Sequence, residues 1–173
     1  MFERKDLVVY GATGVCEVVD IGTPQIEGID KGRVYYTLHP VYSNEGVIYT
    51  PVDNTRVAMR HVMSAFNANE LIDSLNELEP MKPDNMKQWE LECKEAMRQC
   101  DSKTCCRIVK TLYFRKMRRL ASGRKSTTID ERYLHNTGDH LFGELAVALG
   151  LSKEEVTDFI LKKLDDSYRG TTL

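Results

Sequence analysis

The spacing of apolar residues changes once along the chain, from about two to about 3.6, close to residue 62. Before that point, short runs enriched in β-branched and aromatic residues are cut by glycine, proline and acids: residues 7–10, 15–21, 34–38, 47–50 and 56–59. Branched and aromatic side chains pack well on a pleated surface, so such runs predict strands. Five short strands in about sixty residues, with no helical period between them, predict a small, strongly bent antiparallel barrel. The Gly11-Ala12-Thr13-Gly14 segment has neither the lysine nor the spacing of a phosphate-binding loop and reads as a turn.

Beyond residue 62 the pattern is helical. Asn67-x-x-Glu70 has capping-box spacing, and Leu71, Ile72, Leu75 and Leu78 form one stripe that Pro80 and Pro83 bring to an end. A second helix starts near Asp84 or Asn85, with Gln88 as capping partner, and runs to about Cys100. Asp101 caps a third, which Ser122-Gly123 closes. Thr128-x-x-Glu131 opens a fourth, carrying Leu134, Leu141, Phe142, Leu145 and Leu149. Gly138 weakens its middle by roughly 1 kcal/mol, which predicts a kink or break, and Gly150 is placed as a left-handed stop. Ser152-x-x-Glu155 begins a last helix, with Val156, Phe159, Ile160 and Leu164 inward and fraying expected after Asp165. The fold class expected is α+β in two domains, a β-barrel at 1–62 and an all-α bundle at 63–173.

Charge adds a local feature. Net charge is -2, yet residues 102–128 carry nine basic residues and no acid. On a helical projection Lys103, Arg107, Lys110 and Arg118 share a face, with Ile108, Val109, Leu112 and Leu120 roughly opposite. That face suits a polyanion, or is an ordinary solvated surface. No run of about 18 apolar residues predicts a membrane span, and the N-terminus lacks the core of a signal peptide. Five cysteines, an odd number without an export signal, fit a reducing cytosol. They include no CxxC pair and read as small buried hydrophobes, so no metal is expected. Four histidines in no triad-like order with the cysteines give no catalytic set, and no cofactor is expected.

The opening DLVVYGATGVCEVVDI, then YYTLHPVY and VIYTPVDN, resembles the N-terminal domain of CarD-type bacterial transcription regulators, a module shared with transcription-repair coupling factors. The resemblance implies a Tudor/SH3-like barrel that docks on the β subunit of RNA polymerase. It continues through Trp89, one turn into the second helix, and through GELAVALG at 143–150. In the family a tryptophan at that place wedges into the minor groove at the upstream edge of the transcription bubble, and basic residues hold the DNA backbone. Wedging of this kind needs no base readout. The resemblance therefore implies DNA contacts from Trp89, with Lys94 as the best-matching basic partner and Lys87, Arg98, Lys110 and Arg118 as further candidates. The residues alone favour burial of Trp89, because it shares a helical stripe with Met86, Cys93, Met97 and Cys100.

This chain also departs from the family. Arginines found on the polymerase-facing strands of some members are absent here, which shifts the expected contacts to Tyr35, Tyr49 and Pro51. The segment before GELA is less basic, so polymerase docking is expected to supply the effective concentration for DNA. The reading is a non-enzymatic, cytoplasmic, monomeric initiation factor whose partners are the RNA polymerase β subunit and promoter DNA, with no membrane contact. It would stabilise the open complex. The alternative is a protein–protein adaptor whose basic helix binds an acidic partner without touching DNA.

Overall fold

Strands form where the branched runs lie. In the computed structural model, which describes residues 1–43 and 46–171, β1 (Leu7–Tyr10), β2 (Gly14–Gly22), β3 (Tyr35–Pro40), β4 (Ile48–Pro51) and β5 (Met59–His61) pair antiparallel. Their order is β4-β3-β2-β1-β5. The Gly11–Thr13 segment between β1 and β2 is one 3-10 turn. The fifth strand starts three residues later than the sequence suggests. Asn54 is the reason: its side chain accepts from the Arg56 amide and donates to the Val57 carbonyl, so residues 54–57 curl instead of extending.

Pairing sets which residues face inward. Tyr36 lies opposite Thr50 and Leu38 opposite Ile48, and Tyr36 and Leu38 join Val8, Cys16 and Val18 in a small core. Val9 and Val15, on the alternate positions of the pleat, are buried as well. The paired valines of VVY are thus buried on opposite faces of the sheet, with Val8 in that small core.

Five helices follow: α1 (Ala65–Ser74), α2 (Met86–Arg98), α3 (Ser102–Ala121), α4 (Thr128–Leu149) and α5 (Lys153–Thr171). The α+β class and the order of its two parts are as expected. Caps at Asn85, Asp101 and Gly150 stand where the sequence puts them. The Ser152/Glu155 box is reciprocal, each side chain accepting from the other residue's amide. Two starts differ. Ser64, not Asn67, caps α1 and accepts from the Asn67 amide at 3.1 Å, while Thr127, one residue early, caps α4. No break occurs at Gly138. A Cβ there would lie 3.2 Å from the Phe142 ring, so the missing side chain gives that ring room while the helix runs on. Helix α5 continues past Asp165, where an Arg169–Asp165 pair and Tyr168 edge-on to Phe114 hold its last turns; residues 172–173 lie outside the described residues. Phe159, expected inward, is 55% exposed.

Helices and sheet meet at a polar joint. Glu144, wholly buried, accepts from both terminal nitrogens of Arg60, from Ser102 Oγ at 2.7 Å and from the Met63 amide at 3.1 Å. Arg60 in turn donates to the Cys100 carbonyl at 3.0 and 2.8 Å. The guanidinium is held still more firmly protonated than usual by that carboxylate. Beside it, His140 Nε2 lies 2.8 Å from the Gly11 carbonyl oxygen, and burial pushes the imidazole below its ordinary value. Tyr42 donates to the Gly143 carbonyl at 3.2 Å. A Cβ on residue 143 would meet the Tyr42 ring at 2.9 Å, so only glycine lets the ring approach. Both leading residues of GELA therefore serve the joint between the two parts.

Candidate functional site

Two surfaces can be built from the residues singled out in the sequence. The first is the β3–β4 edge. Tyr35 pairs with Pro51 and Thr37 with Tyr49 across the ladder. Opposed residues, and residues two apart, share a face of a sheet. Tyr35, Tyr49 and Pro51 therefore stand together, on the face away from Tyr36 and Leu38. Tyr49 and Pro51 are half-buried, while Tyr35 is 8% exposed. Among the described residues no strand pairs with the outer side of β4. An edge of this kind presents unpaired backbone donors and acceptors to another chain.

The second is the basic surface of α2 and α3, which the structure redistributes. Trp89 is a correction to the projecting wedge: the residue is 0% exposed and belongs to the buried core that also holds Cys93, Met97, Cys105, Ile108 and Leu112. Its stripe neighbours decide this, since Cys93, Ala96 and Met97 on the same side of α2 are buried too. Lys110 is a second correction. It is 3% exposed, and its ammonium donates to the carbonyls of Leu75 at 2.7 Å and Asn76 at 3.0 Å, closing the end of α1. A cation at a helix C-terminus satisfies orphan carbonyls there, and burial pulls its pKa down. Arg98 lies on the surface but is bonded twice to Glu95, at 2.8 and 2.6 Å. That pairing holds the Glu95 carboxyl down at about 2. Arg107 donates to the Glu79 carbonyl.

What remains accessible is a narrower set. Lys87 and Arg118 are exposed, as are Lys82, Lys103, Arg124 and Lys125, and none of these has an ion pair among the described residues. Lys94 is exposed too, with Glu90 4.0 Å away. The structure brings Lys87 and Lys94 together beside the exposed Met86 and Leu91 on the outer face of α2. Arg118 lies elsewhere, on α3 beside the residue 80–83 segment. The nine-residue basic block is thus not one continuous face.

Residues 2–63 match the family described as the CarD-like/TRCF RID domain, the RNA polymerase-interacting module. They form a CarD-like/TRCF RID domain. The RID domain so defined holds all five strands and ends at Met63, whose amide is bound by Glu144. The CarD-like family is generally non-catalytic. No curated protein matches the chain. All five helices lie outside the RID domain, and none among the described residues is long and apolar enough to cross a membrane.

The five cysteines are free and buried. Desolvation raises the thiols, Cys93 and Cys106 to about 12 and Cys16 to about 11, which suits packing and not nucleophilic chemistry. Sequence reasoning missed Arg60, Glu144 and Arg115. Glu144 carried a signal: an acid between Gly143 and Leu145, inside an apolar helix stretch, calls for a buried cation.

Proposed function

We propose that the chain binds RNA polymerase through its RID domain and holds its helical part against promoter DNA near the upstream edge of the bubble, so stabilising the open complex. The observation that carries this reading is the RID match over residues 2–63. The polymerase contact is assigned to the β subunit, at the open β4 edge with Tyr49 and Pro51. On this account residues 1–62 and 63–173 are the two functional units, and the Glu144 joint fixes the angle between them. Cytoplasmic location and a monomeric state go with this role. Backbone contacts fall to Lys87, Lys94 and Arg118, cations that reach solvent and bind phosphate without reading sequence. Trp89 contributes by holding α2 on α3. For it to act as a wedge, the ring would first have to leave the core.

The test is open-complex lifetime on a promoter fragment after competitor challenge, with and without the full chain. The proposal expects a longer lifetime, shortened again by Lys87→Gln/Lys94→Gln. A lifetime the protein leaves unchanged would refute it. One observation favours the adaptor reading: Arg98, Arg107, Lys110 and Arg115 already have partners within the fold, which thins the charge offered to DNA. If polymerase binds and the lysine variants behave as wild type, that reading stands.

A further inference from the structure

Between the β1–β2 turn, the end of β3 and one face of α4 lies a cleft of about 340 Å³. Small-molecule sites favour such joints between two parts of a chain, and this volume is within their range. Val15, Pro40 and Met97 give the cleft apolar walls, and Tyr42, 46% exposed, gives it an aromatic side. Thr13 and Asn136 stand exposed at the rim and make no bond within the fold among the described residues. The two charged residues of the lining cancel, since Lys153 Nζ is 2.9 Å from Asp139 Oδ1.

One lining residue is polar, buried and only half used. His140 is 6% exposed. A carbonyl oxygen can only accept, so the Nε2 that lies 2.8 Å from the Gly11 oxygen carries the proton. Nδ1 then keeps a lone pair, and it has no donor among the described residues. It is not sealed either. Among those residues the sealed side-chain nitrogens and oxygens without a partner are Trp89 Nε1 and Asp130 Oδ1 alone, so Nδ1 opens on the cleft that His140 lines. Burial holds the imidazole below its ordinary pKa, which keeps this nitrogen an acceptor at neutral pH. Asn136 lies four residues earlier on α4, on the same face of the helix.

We propose that this cleft binds a nucleobase, with a ring N–H or amino group donating to His140 Nδ1, the Asn136 amide pairing beside it, and Val15, Met97 and Tyr42 against the flat faces. A side-chain amide donates and accepts side by side, as the edge of a base does. Aromatic rings and apolar side chains suit the faces of a base. A carboxylate or phosphate would bring a charge to a site whose own charges already cancel. A sugar carries hydroxyls around its whole ring, and apolar walls would strip them of water without replacing it. Such a base comes from a free nucleoside or from an unpaired nucleic-acid strand. The inference goes beyond polymerase docking and does not depend on it.

The full chain has four histidines, so a long-range ¹H–¹⁵N spectrum of the ¹⁵N-histidine protein, with His140→Gln for assignment, reads both nitrogens of His140 directly. The probes are adenosine, cytidine, uridine and a short single-stranded oligonucleotide, each against a counterpart with the donors of its bases methylated, and ribose alone. The free protein should show His140 protonated on Nε2. At least one probe should move Nδ1 upfield and saturate, and its methylated counterpart and ribose should not. Asn136→Ala should weaken that binding about fivefold, the worth of one neutral hydrogen bond, with the melting temperature unmoved because the side chain is exposed and unbonded among the described residues. Saturation by a nucleoside identifies a free ligand, and saturation by the oligonucleotide alone identifies a strand. A free protein protonated on Nδ1, no saturable movement with any probe, equal movement with the methylated counterpart or ribose, or affinity untouched in Asn136→Ala overturns the proposal. Failure here leaves polymerase binding unaffected, so the two accounts fall separately.

Discussion

Removing Glu144 tests whether the joint holds sheet and helices together. In Glu144→Ala the Arg60 guanidinium loses both carboxylate oxygens and keeps its bonds to the Cys100 and His61 carbonyls, Ser102 Oγ loses its acceptor, and the Met63 amide is left without one. The carboxylate is wholly buried, whereas the arginine side chain is 35% exposed. Water can therefore rescue part of the cation. Breaking a buried pair from one side typically costs about 3–5 kcal/mol. At about 2–4 °C per kcal/mol for a chain of this size, melting should fall by roughly 6–20 °C. Arg60→Met should cost at least as much, because it strands a buried carboxylate. The double variant Arg60→Met/Glu144→Leu strands no charge, and an apolar replacement of both partners is often close to neutral. It still leaves the Cys100 carbonyl without the arginine, at about 1–2 kcal/mol. The double-mutant cycle, closed with Glu144→Leu as the second single variant and measured by urea unfolding, should therefore show a coupling of at least about 2 kcal/mol. Additivity within about 0.5 kcal/mol would show that the two side chains do not act together and would refute the reasoning.

Further expectations follow from the same geometry. Lys110→Met should lower stability by about 1–3 kcal/mol in thermal unfolding through loss of the α1 end contacts, and should leave open-complex lifetime unchanged because the ammonium faces the interior. His140 has a folded pKa below its ordinary 6.5, so the unfolded chain takes up its proton first as pH falls. Stability is full above about pH 6.5 and declines below it until the folded value is passed, and His140→Gln should flatten that decline in a series of melts from pH 8 to 5. Gly143→Ala should destabilise by about 1–3 kcal/mol, as its Cβ meets Tyr42, with Tyr42→Ala in the same chain restoring most of the loss. The native protein should react with almost no thiol reagent until denatured, since all five cysteines are buried.

Much of the fold could be read from local chemistry. Capping by Asn85, Asp101 and Gly150 depends on a few neighbouring residues, and the strand runs depend on side-chain shape, so both are visible in sequence. The misplaced caps of α1 and α4 arose where several Ser, Thr or Asn residues compete within one turn, at 64–69 and 126–128. Position on a helix face was less legible, because periodicity says which residues are neighbours but not which neighbours are covered. Phe159 lies outward despite its place in the α5 stripe. Lys110 went the other way, since only the fold shows that α1 ends beside it. Trp89 exposes the same limit. Its stripe with Cys93 and Met97 indicated burial, as found, while the resemblance indicated a projecting ring. The basic block likewise read as one face, but pairing with Asp130 and with the carbonyls of Glu79, Leu75 and Asn76 removes part of it from solvent.

The most direct test of the central claim is hydrogen exchange of the full chain, alone and with RNA polymerase present. Docking through the RID domain predicts slower exchange at residues 48–50 of β4 on adding polymerase, with Tyr49→Ala/Pro51→Asp abolishing both the protection and the complex. Exchange in β4 that polymerase leaves unchanged, or a complex that survives those substitutions with its protection confined to the helices, would contradict the account.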